Sequence, residues 1–291
     1  MAAIFRALIV ILVSVGLALG LALVVDNSQQ QLFGLPALVA LALVALGIQW
    51  LVFIPSYLFQ TEIYYDLTGS LTYLLVTGVA VAFLAGSEPS LRAVLLAALV
   101  VIWALRLGPF LFRRIKKAGK DGRFDEIKTR WPRFLVTWTL QGLWVFITLL
   151  AALVAITTPD AKPLGVTALI GFAMWLIGFT FEAVADAQKS AFNSDPANQG
   201  RFVDVGLWRW SRHPNYFGEI LLWMGVAVIA APVFQGLQWL ALISPLFVIF
   251  LLMKVSGVPL LEKRADEKWG DSPEYQRYKK DVPVLLPRPP R

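Results

Sequence analysis

The chain has 291 residues, 58% of them hydrophobic and only 15% charged, with a mean hydropathy of +0.67 and a formal net charge of +7. Soluble domains carry roughly 25% charge, and here the apolar residues fall in long runs, so the composition points to an all-α integral membrane protein. The absence of cysteine and the single histidine exclude disulfides, thiolate nucleophiles and thiolate-bound metals, and leave almost nothing from which to build a histidine metal site.

Eight apolar runs follow one another near 4–25, 35–56, 67–86, 89–106, 134–157, 163–186, 217–232 and 237–256. Each approaches the ~20 residues that cross a ~30 Å hydrocarbon core. They predict a bundle of about eight transmembrane helices forming one membrane domain over 1–291, with a cytoplasmic tail at 257–291 and no soluble domain. The first run is read as a retained helix, because its apolar part, Ala7 to Val25, exceeds the roughly 7–15 residues of a signal-peptide core and ends in no small-x-small site. Gly16 and Gly20 in it form a GxxxG that could pack a neighbouring helix. The seventh run is short, so it either begins inside the polar stretch before it or stops short of the far surface.

Of the 26 Lys and Arg, nine lie between Arg113 and Arg133, four between Lys189 and Arg212, and nine from Lys254 onward. Arg6 is at the N-terminus and Arg106 closes the fourth run, while Arg92 and Lys162 are placed toward the opposite side. Positive residues favour the cytoplasm, which predicts that both termini are cytoplasmic. The positive balance calls for membrane lipids, not nucleic acid, since topology and anionic headgroups account for most of it.

Polar residues at the cytoplasmic ends of spans are costly unless paired or facing a wet cavity, so each is a functional candidate. In "FQTEIYYD", Phe59 to Asp66, a carboxyl in an apolar pocket could relay a proton, or the segment is an interfacial turn with tyrosines at headgroup level. The basic stretch from Arg106 to Trp131 could clamp phosphates or be a plain positive-inside loop. In "FEAVADAQK", Glu182 and Asp186 share one helical face and could hold ribose hydroxyls, or Asp186 pairs locally with Lys189. In "SRHPNYFGE", Pro214 suits the first turn of a helix, which puts Asn215 and Glu219 on one face. Arg209, Arg212 and His213 then crowd a helix N-terminus that already carries partial positive charge. A bound anion would reverse the sign of that arrangement; the bland alternative is headgroup binding plus pairing of Arg212 with Glu219 or Asp204. The last polar segment, Leu260 to Pro287, with Glu262, Lys263, Arg264, Tyr275 and Tyr278, is either a helix and turn that close over the pocket or a solvated tail.

The core "RHPNYFGE" at Arg212–Glu219 resembles the steroid 5α-reductase-like superfamily, in particular bacterial membrane proteins of the DUF1295 family. The likeness extends through "RLGPFLFRRI", "GKDGRF", "WTLQGLWV", "FEAVADAQK" and "EYQRYKKDVPVLLP", roughly residues 50–287. Sterol reductases and isoprenylcysteine methyltransferases carry related motifs. The resemblance implies a seven-helix reductase-like core in which cytoplasmic loops close a cofactor pocket. It further implies an NADPH-dependent reductase of a conjugated steroid-like or other lipid enone in a bacterial inner membrane. By this likeness Asn215 would hold the nicotinamide carboxamide, with Glu219 in support and His213 and Tyr216 beside it. Asp186 and Glu182 would contact the adenosine half. Arg201, Arg212, Lys189, Arg113 and Arg114 would meet phosphates, and Gln60 or Glu62 would lie near the substrate ketone. The chain departs from the reductase pattern in two places: Thr61 separates Gln60 from Glu62, and Trp103 stands three residues before Arg106 where the reductases have a tyrosine. Tyr64 or Tyr65 is the substitute proton donor to consider. A second reading is an S-adenosylmethionine-dependent lipid or prenyl methyltransferase using the same helix mouth. A third is a non-catalytic membrane protein in which Asn215 and Glu219 matter for stability alone.

Overall fold

A computed structural model of the protein describes residues 2–86, 88–158 and 162–290. It is all-α apart from one short hairpin. Among the described residues, eight helical stretches are long and apolar enough to cross a membrane, so this is an all-α integral membrane protein. The chain divides into two compact units. The first runs through Gly165 and takes in Ile229–Ser244; the second comprises Val166–Val228 and the chain from Pro245 onward.

In the first unit, α1 (Ala2–Val25) leads to the antiparallel strands β1 (Gln31–Leu32) and β2 (Leu35–Pro36), then α2 (Ala37–Leu58), α3 (Tyr65–Val79), α4 (Leu91–Ala118) and α5 (Trp131–Thr157). The centre is α5, which packs against α1, α2, α3 and α4. Phe146, Leu149, Leu150, Ala151 and Leu153 are all fully buried, as expected of a helix that is apolar all round. It lies close against α2 at Gly142, where an added Cβ would lie 3.2 Å from the Leu46 Cα. Interhelical hydrogen bonds hold the register: the Gln49 amide donates to Thr72 Oγ1 (2.8 Å) and the Trp50 indole to Thr139 Oγ1 (3.0 Å), contacts worth about 0.6 kcal/mol on average inside a bilayer. Arg92 is buried at the start of α4. It donates to the carbonyls of Ile229 and Pro163, while Lys162 donates to the carbonyl of Pro232 (2.8 Å).

In the second unit, α6 (Val166–Ser194) runs beside α7 (Pro214–Ala230). Glycines set their spacing. A Cβ on Gly178 would stand 2.5 Å from the Gly218 carbonyl oxygen, one on Gly218 would stand 2.5 Å from the Glu182 nitrogen, and one on Gly225 would stand 2.5 Å from the Gly171 oxygen. Only glycine allows backbones this close. The chain then passes through α8 (Ile243–Phe250) and a π-helical turn, Leu251–Val255, to α9 (Val258–Trp269) and α10 (Pro273–Asp281). α7 begins at Pro214, as the motif predicts. Several apolar runs differ from their hydropathy, the sixth among them, whose helix continues past 186 to Ser194. The fourth helix continues past Arg106 to Ala118, and the last run is a 3-10 stretch (Gly236–Leu242), an α-helix and a π-turn in succession. At ~1.5 Å per residue a helix of 28 residues exceeds a ~30 Å core, so α4 carries its basic final turns beyond the apolar slab.

Candidate functional site

Within the second unit, the close approach of α6 and α7 brings two polar pairs together. Glu182 and Asp186 are buried on α6. Asn215 lies on the first turn of α7, and its amide donates to Asp186 Oδ1 at 3.3 Å. Glu219 follows one turn later. Tyr216 stacks on the His213 ring, with centroids 5.6 Å apart and planes at 11°. Lys189, one turn after Asp186, rests its ammonium 4.7 Å from the centroid of Trp208, and Trp208 is fixed by its indole donating to the Ala185 carbonyl (3.0 Å). Arg201 bonds Asn198 and faces the Phe192 ring.

A cavity of about 370 Å³ opens beside this cluster. Lys189, Arg201, Arg212, Arg264 and Lys268 bring five cations to its wall, against the single carboxylate of Glu262, and Phe202, Trp208, Trp269, Tyr275 and Tyr278 supply aromatic faces. The α9 contribution follows helical spacing: Leu261, Arg264, Ala265 and Lys268 share one face. The opposite face carries Lys263, paired at 3.9 Å with Glu267 in the i,i+4 position. The C-terminal segment is therefore both a pocket wall and a solvated surface.

Glu262 ties the motif to α9. Its Oε2 accepts from Arg212 Nη1 at 2.5 Å, and its Oε1 is 2.8 Å from His213 Nε2. Lys279 of α10 reaches the same carboxylate (3.7 Å) and Asp266 (2.6 Å). Burial holds the His213 imidazole below its ordinary range and outweighs the opposing pull of Glu262. Burial likewise pushes the Tyr275 and Tyr278 hydroxyls up, so both stay protonated donors. After α10 the chain turns back as a strap. The Arg212 N–H donates to the Pro283 carbonyl (2.9 Å), Ser211 Oγ to that of Leu285 (2.8 Å), and the Arg288 N–H to that of Trp210 (2.9 Å). From the sequence, the carboxylate partners near at hand for Arg212 are Glu219 and Asp204. The structure supplies Glu262, fifty residues on.

The other candidates lie in the first unit. Gln60 is a non-glycine residue at φ 50°. The Thr61 N–H bonds the Ser56 carbonyl and the Gln60 N–H the Tyr57 carbonyl, which is a Schellman termination of α2 with glutamine where glycine is usual. The exposed Gln60 side chain donates to the Tyr57 carbonyl (2.6 Å). Glu62 is buried. Its Oε1 accepts from the Asp121 N–H (2.9 Å) and its Oε2 from the Lys128 ammonium (2.6 Å), so it clips the loop after α4 down onto this turn. Tyr65 packs edge-on against Trp138 and beside Phe124, and its hydroxyl donates to the Thr137 carbonyl (3.1 Å). Arg114 lies 3.9 Å from Asp66, and Arg113 bonds back to the Pro109 carbonyl. In the same loop Arg123 bonds Asp121. Burial raises the Asp121 carboxyl, but these hydrogen bonds outweigh it and hold the group below its usual range.

The profile of the family described as "Protein of unknown function (DUF1295)" matches residues 52–282, and the chain belongs to that family, within the steroid 5α-reductase-like superfamily. It is 24% identical over 232 residues to an uncharacterized protein of Schizosaccharomyces pombe, a match covering 68% of this chain and 64% of that one. It is also 28% identical over 68 residues to a probable O-methyltransferase, ustE, of Ustilaginoidea virens, covering 23% and 24%. The chain thus spans 64% and 24% of the lengths of these curated relatives. No solved structure matches it.

Proposed function

We propose that this protein is a membrane-embedded NADPH-dependent reductase acting on a conjugated enone of a steroid-like or other lipid, with the cofactor held by the second unit. The observation that carries this reading is the charge of the cavity: five cationic side chains and one carboxylate line it, next to the Asn215–Asp186 pair. The residues fit the group. Arginine and lysine suit phosphate oxygens, carboxylates such as Asp186 and Glu182 accept from ribose hydroxyls, and an amide such as Asn215 can both donate to and accept from a carboxamide. The aromatic faces suit a base. A cavity of about 370 Å³ takes one phosphate-bearing half of a dinucleotide. When bound, NADPH would supply the hydride.

On this reading Arg212, Lys189 and Arg201 hold phosphate. Glu219 supports Asn215, and His213 and Tyr216 form the stacked wall behind it. By family resemblance Gln60 or Glu62 serves the substrate carbonyl, and Tyr65 stands in for the tyrosine that the reductases carry where this chain has Trp103. The Tyr65 hydroxyl is the candidate acid, and it must release the Thr137 carbonyl to donate elsewhere. The basic clusters after Arg113, after Lys189 and after Lys254 favour a cytoplasmic placement of both termini, and by family resemblance the membrane is a bacterial inner membrane.

The name of the second relative, a probable O-methyltransferase, favours a second reading, transfer of a methyl group from S-adenosylmethionine. That donor carries a net positive charge, and a pocket of five cations repels it, whereas a pyrophosphate-bearing nucleotide is attracted. One incubation separates the two. Purified protein, a membrane lipid extract, NADPH deuterated at the transferable position and S-adenosylmethionine with a labelled methyl are combined, and the lipids are read by mass spectrometry. Reduction puts deuterium into a lipid, and Asn215→Ala abolishes it. Labelled methyl in place of deuterium would refute the reductase reading.

A further inference from the structure

Arg212 and His213 are adjacent in the chain, both line the cavity, and both are nearly enclosed, with side chains 11% and 5% exposed. Neither is braced on more than one edge. The Nε of Arg212 and the Nδ1 of His213 are buried without a hydrogen-bond partner among the described residues. What fixes both is one carboxylate from α9. Glu262 gives one oxygen to Arg212 Nη1 (2.5 Å) and the other to His213 Nε2 (2.8 Å). Nothing in the sequence near Arg212 foreshadows it.

We propose that Glu262 is the positioning residue of this site. It aims the Arg212 guanidinium and fixes His213 as the Nε2–H tautomer, so that the site is complete only when α9 is docked. The inference rests on the nucleotide reading above for its ligand and not for its geometry. A carboxylate accepts only, so His213 must donate from Nε2, and the neutral ring then keeps its lone pair on Nδ1. The guanidinium gives one edge to Glu262 and keeps further N–H donors for a phosphate, the planar fork being suited to two partners at once. The charged and titratable groups around the imidazole are Glu262 from α9, Lys189 from α6, Arg212 and the stacked Tyr216, with Lys279 of α10 touching Glu262 from behind.

The role has a sign that simple electrostatics lacks. Removing a carboxylate from a cationic pocket should by itself tighten a polyanion; a positioning role predicts the reverse. The test uses full-length protein with ¹⁵N-labelled histidine, which gives one imidazole, and a parallel titration with NADPH. The parent is expected to show the Nε2–H tautomer from pH 7 upward. Glu262→Gln can still accept from Nε2–H, so it is expected to keep the tautomer and yet raise the NADPH Kd about tenfold or more. Glu262→Ala is expected to give mixed tautomers and at least as large a rise. An unchanged or lower Kd in Glu262→Gln overturns the proposal, and so does an Nδ1–H ring in the parent. If Glu262→Ala does not fold, the parent ring and Glu262→Gln decide. If the parent binds no NADPH, the nucleotide reading fails, and the ring alone judges Glu262: a tautomer unchanged in Glu262→Ala overturns the positioning role, and a lost one supports it.

Discussion

Replacing Gly218 with alanine tests how the fold builds the site. The new Cβ would stand 2.5 Å from both the Glu182 nitrogen and the Gly178 carbonyl oxygen, and 3.0 Å from the Glu182 Cα. These are backbone atoms and cannot turn aside. Ordinary non-bonded carbon contacts lie near 3.5–4.0 Å, so α6 and α7 must part by about 1 Å. Overpacking of this kind costs about 1–3 kcal/mol, and the better helix propensity of alanine returns at most about 1. The net loss is about 1–2 kcal/mol, or a fall in Tm of about 2–8 °C on the scale of large soluble domains. The same separation stretches the 3.3 Å bond from Asn215 to Asp186 beyond hydrogen-bonding range, so NADPH affinity should fall with stability. Thermal unfolding in detergent measures the first effect and nucleotide titration the second. Gly16→Ala, where nothing lies within 4 Å of the new Cβ, is the control and should be neutral or stabilising. Adding Gly178→Ala to Gly218→Ala should cost less than the sum of the two, because the helices have already separated. A Gly218→Ala protein as stable as the Gly16→Ala control would refute the close-packing argument.

Other consequences are equally direct. Gln60 caps α2 with a left-handed backbone, so Gln60→Gly should raise stability by about 0.5–1 kcal/mol in a thermal melt, while reductase activity falls if the side chain serves substrate. His213 is held neutral by burial, so the unfolded chain binds more protons near the ordinary value of about 6.5. Stability should therefore be fully present above that pH and lost as pH falls through it, and His213→Gln should flatten the dependence of Tm on pH in this range. The Glu62 side chain is 2% exposed and its partner Lys128 20%. Lys128→Met strands a buried carboxylate and should cost about 3 kcal/mol, whereas Glu62→Gln leaves an ammonium that can turn to water and should cost less. Chemical denaturation of both variants checks the order, and the reverse order would contradict the burial argument.

The spans were legible because a bilayer demands long apolar runs, and the start of α7 because proline at a first helical position is a local signal. The helix ends were not. Hydropathy reports where the membrane stops, so the run ending at Arg106 hid a helix that continues to Ala118. The run at 237–256 hid a 3-10 stretch and a π-turn, since apolar length is blind to helix type. At the site, Glu182, Asp186, Asn215 and Glu219 could be grouped from spacing of four within each helix, and the structure places Asn215 against Asp186. The glycines that permit this recur at intervals of seven, Gly171 with Gly178 and Gly218 with Gly225, a spacing visible in the sequence. The spacing of Leu261, Arg264, Ala265 and Lys268 likewise announced a face, but not what it faces. The contact of Glu262 with Arg212 had no local signal, because it depends on the chain returning after α8.

The most direct test of the account is the equilibrium affinity of the purified protein for NADPH and for S-adenosylmethionine, measured at two salt concentrations on the parent, Asp186→Asn and Arg201→Glu. NADPH is expected to bind and stabilise the parent by ~2.7 kcal/mol at a hundredfold excess over Kd, binding is expected to weaken with salt, and both variants are expected to lose it while S-adenosylmethionine has no effect. Stabilisation by S-adenosylmethionine alone, or NADPH binding indifferent to Arg201→Glu and to salt, would contradict the account.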